Sequence, residues 1–338
     1  MNLLEPWILI RVAAGLVASL LFARGAWTGW RVLRHFNVGS ATEGQLALER
    51  HVELAATFVR VAAVVQVGSL ALTVLAADRL SHGIRGAMCA YGVFAANSWG
   101  FPALLATLGV AIAAGLLAQL FAFDARVRGL DLVRSLAVGT LVLAPLALAD
   151  LVVTSLFLLK LDLSVVASCC SVQLDAVAAG NGGYARGPRV LTAIGAPIAI
   201  VLSVIMALYA ARRPRAPIVA VSGALTLASL PLAIGATILE VAPHAFEVPH
   251  HVCPFCLLKT DVLAIGYPLF GAILLAVVWG GGAALSGLVA RGPAAREAFG
   301  PFARGLLRRG AVAWLVALAI GVLPVARYAI VAGGSLFR

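Results

Sequence analysis

Apolar residues in this chain neither alternate nor keep to one side of a helix; they run together. Long apolar stretches fall at 7–24, 53–77, 101–122, 136–159, 190–210, 217–239, 263–284 and 311–332, and the segments between them hold most of the charge. A helix of about 20 residues is about 30 Å long, which matches the hydrocarbon core of a bilayer. The pattern predicts an all-α fold: a polytopic membrane bundle of about eight transmembrane helices, forming a single integral membrane domain over 1–338. Segment 25–50, with Trp27, Trp30, Arg31 and Arg34 near its start, is too polar to span and is expected to be an interfacial helix or a plain connector. Met1 to Pro6 offer no basic stretch ahead of the first apolar run, so that run is expected to be a retained helix and not a cleaved signal.

Composition agrees with this pattern. Of 338 residues, 62% are hydrophobic and only 12% charged, with a mean hydropathy of +1.03; soluble domains carry roughly a quarter charged residues. The net charge of +11 does not point to nucleic acid, because the basic residues are spread over short connections instead of clustering on one face. Their spread is informative in another way. Arg24, Arg31, Arg34, then Arg126, Arg128, Arg134, then Arg212, Arg213, Arg215, then Arg291, Arg296, Arg304, Arg308 and Arg309 occupy one set of alternate connections. The opposite set holds only Arg79, Arg85, Lys160, Arg186, Arg189 and Lys259. The positive-inside rule then predicts a cytoplasmic (inner) membrane protein with both termini outward, N-out and C-out, and the arginine-poor connections facing outside.

All five cysteines fall on those arginine-poor connections: Cys89 in Met-Cys-Ala-Tyr, the adjacent Cys169 and Cys170, and Cys253 with Cys256 in His-His-Val-Cys-Pro-Phe-Cys. Three hairpins therefore carry cysteine at the same end, although no internal sequence repeat is apparent. The last motif is the most specific. Pro254 suits the first position of a helix, which would make Cys253 the N-cap. Backbone N–H groups and the helix dipole would then favour its thiolate, with Cys256 as resolving partner. In spacing, these four residues resemble the Cys-Pro-x-Cys centre of thioredoxin-like oxidoreductases, without the βαβ pattern that surrounds it. In general plan they also resemble membrane oxidoreductases that set cysteine pairs in outward loops.

Three readings of the cluster stand open. Loops in an oxidising compartment can be stapled by disulfides, which would leave a non-catalytic subunit that docks a membrane complex. Cys253 and Cys256, relayed by Cys169, Cys170 or Cys89, can exchange disulfides or pass electrons at the outer surface with an extracytoplasmic thiol protein as partner. Or His250, His251, Cys253 and Cys256 can nucleate a copper or zinc site in a metal-binding protein or permease. The leading expectation is the second, an enzyme of thiol–disulfide exchange.

Ionisable residues within spans default to functional hypotheses. Arg11, Asp150 and Arg327 fall in the outer halves of their segments, so Asp150 is expected to pair with Arg11 or Arg327. Such a pair would either brace helices or position a cofactor head group such as a quinone. Glu240, Glu247 and Asp261 gather near the last outward connection. Other classes are argued down: the spans carry no facing histidines for a b-type haem, Leu257 after Cys256 rules out a Cys-x-x-Cys-His haem attachment, and a Walker loop is missing.

Overall fold

The computed structural model describes residues 5–36, 42–127, 129, 131–162, 186–249, 251–334 and 336–337. Its regular elements among the described residues are all helical, and eight helices are long and apolar enough to cross a membrane. In chain order the helices are α1 (Pro6–His35), α2 (Glu43–Ser81), the short α3 (Ala90–Ala95), α4 (Gly100–Asp124), α5 (Val133–Leu159), α6 (Arg186–Arg212), α7 (Ala216–Ala236), the short α8 (Ala242–Phe246), α9 (Gly266–Val289) and α10 (Pro293–Ala332). A π-turn at Thr237–Val241 and 3₁₀ turns at Pro254–Leu258 and Thr260–Val262 complete the described elements. The bundle is thus a polytopic membrane fold, and the lipid bilayer is its environment.

Several helices outrun the apolar stretches that announce them. Pro6 and Pro293 open α1 and α10, where a missing N–H costs nothing, and Thr42 caps α2 by accepting from the Gln45 N–H at 3.4 Å. The part of 25–50 expected as a separate interfacial element instead continues α1 as far as His35 and begins α2 at Glu43. Trp27 stacks on Trp30 with Arg34 over the Trp30 ring, so aromatic and basic side chains line the emergent turns. At 40 residues α10 is about twice the length a bilayer requires, and Arg296, Arg304, Arg308 and Arg309 sit in its first half.

The spans pack as two closed rings. In the first, α1 packs on α2, α2 on α4, α4 on α5, and α5 back on α1. In the second, α6 packs on α7, α7 on α9, α9 on α10, and α10 back on α6. The rings join where α4 meets α9. A Cβ at Gly115 would lie 2.9 Å from Val278 Cγ2, so this seam depends on a missing side chain. Each ring uses its four spans in the same order, and each carries its cysteine between its second and third spans.

Local structure repeats as well. Cys89 is the N-cap of α3 and Cys253 the N-cap of the Pro254–Leu258 turn. Two residues on, Tyr91 matches Phe255. The next span then opens with Gly100-Phe101-Pro102 in one ring and Gly266-Tyr267-Pro268 in the other. Both glycines sit hard against the capped turn: a Cβ at Gly100 would collide with the Phe94 carbonyl, and one at Gly266 would meet Leu257 backbone at 3.0 Å. The sequence alone showed no repeat because the rings share shape at a few positions and diverge elsewhere.

Gly100→Ala is therefore expected to destabilise the fold by at least about 1–3 kcal/mol, the usual scale of overpacking against atoms that cannot move aside. Gly109→Ala, which meets nothing within 4 Å, should be neutral. Thermal unfolding of both variants in detergent, followed by the monodisperse fraction, checks the contrast.

Candidate metal centre

The turns capped by Cys89 and Cys253 face each other across the seam. Both caps have extended backbone (φ −158°, ψ 179° at Cys89; φ −90°, ψ 110° at Cys253), and neither thiol makes a capping bond to its own turn. Cys89 Sγ and Cys253 Sγ lie 3.5 Å apart, and with Cys256 the three sulfurs all fall within 4.8 Å of one another. Zinc–sulfur bonds of about 2.3 Å would set sulfurs about 3.8 Å apart around one ion, so the triangle has the size of a coordination site.

This arrangement corrects the leading expectation from the sequence. Cys89, Cys253 and Cys256 are 1%, 0% and 5% exposed; they are internal, not displayed on outward loops. No disulfide joins them to one another, and a buried pair offers no sulfur for a protein thiolate to attack in line. The thiol–disulfide enzyme, the electron relay at the outer surface and the outward display of these three cysteines are overturned by the burial of this cluster, and no disulfide staples their turns to one another. The helix-start argument fails locally too: Pro254 does occupy the first position, but what it opens is a five-residue 3₁₀ turn without the length for a substantial dipole. Cys169, Cys170 and His250 lie outside the described residues.

Aromatic rings wall the site. Tyr91, Phe246 and Phe255 pack against the sulfurs. Phe255 reaches across the seam to Phe94 with ring centroids 5.6 Å apart, and Phe94 stacks on Phe157 of α5 at 5.6 Å. Lys259, just past Cys256, crosses in the same direction and donates to the Met88 carbonyl. His251 lies against Phe246, with centroids 4.1 Å apart and planes tilted by 32°. Its Nε2 is buried and has no hydrogen-bond partner among the described residues. Burial pulls the His251 pKa below its ordinary value; the neighbouring Cys89 opposes this, and the Lys259 ammonium adds to it. Met88 turns away, 67% exposed.

Beneath the sulfurs, within the first ring, lies a buried polar knot. Arg11 of α1 pairs with Asp150 of α5 at 3.2 Å, each 1% exposed. The Arg11 guanidinium also donates to Thr73 at 2.5 Å, Thr107 at 3.1 Å and Thr154 at 3.3 Å. The Asp150 carboxylate accepts in addition from Thr107 at 2.6 Å, Gln66 at 2.8 Å and Thr154 at 3.3 Å. Four helices thus converge on one ion pair. Arg327 is elsewhere, 76% exposed and 3.8 Å from Glu247.

The second ring holds a group that the sequence reading did not connect. Glu240, buried in the π-turn, accepts from Arg189 at 2.5 Å and stands 3.7 Å from His244; beside it an apolar cavity of about 190 Å³ opens between α6, α7, α9 and α10. The signal available was a carboxylate at the very end of the apolar stretch 217–239, but nothing in the spacing links Glu240 to Arg189, 51 residues away. Asp261 lies in the 3₁₀ turn that follows Lys259. No protein-family profile, curated protein or solved structure matches the chain.

Asp150→Ala is expected to cost about 3–5 kcal/mol, because it strands a buried guanidinium. The double variant Arg11→Met with Asp150→Leu should cost less than Asp150→Ala alone. Comparing detergent-solubilised yields and melting temperatures of the two variants measures the difference.

Proposed function

We propose that this chain is a multi-pass membrane protein that holds one transition-metal ion, copper(I) or zinc(II), on Cys89, Cys253 and Cys256. The observation that carries the reading is the meeting of three buried sulfurs from two separate rings of helices at ligand spacing. Thiolates are the ligand class of soft and borderline ions, and a sulfur triangle in an apolar pocket shields bound metal from water and competing oxygen ligands. The chain is one membrane domain on this reading, 1–338, with the ion at the seam of its two rings. Each ring donates at least one ligand, so binding would tie the rings together.

Retention of the ion is favoured over its permeation by what lies below. The next carboxylate inward, Asp150, already accepts from Arg11, Gln66, Thr107 and Thr154. It has little acceptor capacity left for a passing cation. The packed rings of Phe94 and Phe157 adjoin the site on the same side of the seam. The same set of partners leaves Asp150 no spare acceptor for a quinone head group.

Protein purified in detergent under reducing conditions is expected to bind one equivalent of copper(I) or zinc(II), read by elemental analysis. Cys89→Ser, Cys253→Ser and Cys256→Ser should each lower the occupancy sharply while leaving the helical content intact. Metal content at background in the wild type after loading, or unchanged in all three variants, would refute the reading.

A further inference from the structure

We infer that His251 supplies a fourth ligand and that the centre is a closed tetrahedral Cys₃His site selective for zinc(II). The inference rests on the metal reading above and refines it. Structural zinc sites are almost always four-coordinate and tetrahedral, and three cysteines leave one position to fill. Among the described histidines, His251 is the one placed to fill it. His82 is exposed, 3.2 Å from the Arg79 carbonyl, and His244 is committed to the Glu240 carbonyl at 2.7 Å in the second ring. His251 instead lies on Phe246, a ring that itself packs against the sulfurs. Its peptide N–H is fixed by the Val248 carbonyl at 3.1 Å. A buried imidazole nitrogen without a partner is costly unless something completes it, and Nε2 is in that position. The imidazole stands next to the sulfur triangle instead of within it, so ligation includes a movement of the ring toward the sulfurs.

The two rings provide an independent argument. Aligned on their capping cysteines, the turns agree at the aromatic two residues on, and each is followed by a Gly-aromatic-Pro that opens the next span, two residues later in the second ring than in the first. They differ where ligands are required: Gly92 in the first ring corresponds to Cys256 in the second, and Ala87 corresponds to His251. The second turn thus carries a donor at each of two positions where the first carries none.

Charge and donor type separate zinc from copper. Three thiolates, a neutral imidazole and a divalent ion leave a single negative charge, and the Lys259 ammonium, held at the Met88 carbonyl beside Cys89, offsets it. Three thiolates around copper(I) would leave two negative charges in the same apolar pocket, a costlier burial. Thioether, a soft donor suited to copper(I), is absent from the cluster; the adjacent Met88 is turned outward.

The full-length protein in detergent, loaded with zinc(II) or cobalt(II), tests this. X-ray absorption of the zinc form should show three sulfurs at about 2.3 Å and one nitrogen at about 2.0–2.1 Å, and the cobalt form should show the intense visible bands of a tetrahedral thiolate site. His251→Ala should still bind the ion on three sulfurs, with affinity at least about 100-fold weaker, beyond what loss of a mere supporting hydrogen bond produces. His251→Cys should recover tight binding with a fourth sulfur in place of nitrogen, which separates ligation from folding. Wild-type zinc affinity and an unchanged ligand shell in His251→Ala would overturn the inference while leaving a three-cysteine site standing. A wild-type protein that binds neither zinc, cobalt nor copper would overturn both.

Discussion

Everything in this molecule that bears on chemistry depends on one contact, the meeting of two cysteine-capped turns at the seam between two rings of helices. Neither turn has the length to hold its own shape. Each is pinned by the glycine that opens the following span, since only a residue without a side chain lets that span come so close to the turn. Phe255 against Phe94 and Lys259 to the Met88 carbonyl then fix the turns to each other. Sulfurs 164 residues apart in sequence end 3.5 Å apart because these packing constraints act together.

The fold class was legible because lipid imposes a simple rule: every backbone group must be satisfied within its own segment, so length and apolarity alone reveal each span. The centres of all eight stretches were recoverable on this basis, whereas their ends were not. The residues 25–35 read as polar and loop-like, yet they stay helical because a helix does not need to stop where the hydrocarbon does. The site was half legible. That Cys89, Cys253 and Cys256 share one end of the bundle followed from the alternation of arginine; that they are interior did not. Hydropathy reports the environment of a segment and is silent on whether a short connection folds over the bundle or into it. Cys253-Pro254-Phe255-Cys256 looked like an exposed exchange motif for the same reason, since its spacing encodes a local turn but carries no information on Phe246 and Tyr91 closing above it.

Burial changes what the same atoms can do. A reactive disulfide pair needs one sulfur open to an approaching thiolate. A metal site needs the reverse, donors already gathered and water held away. The aromatic wall of Tyr91, Phe246 and Phe255 meets the second requirement and violates the first. The two rings contribute unequally to this arrangement, one sulfur from the first and two from the second, so the shared architecture supplies the position of the site and the differences between its halves supply its donors.

The knot around Arg11 has a consequence for how the four helices of the first ring depend on one another. Helix α1 carries a guanidinium at the sixth of its 30 residues, buried within the first ring. The carboxylate that neutralises it lies 139 residues further on, and Thr73 and Thr107 lie in between. Lipid is a poor solvent for α1 without them. The first ring is therefore interdependent: α1 is neutralised inside the bilayer only with α2, α4 and α5 packed around it, so weakening any one of the four loosens the others.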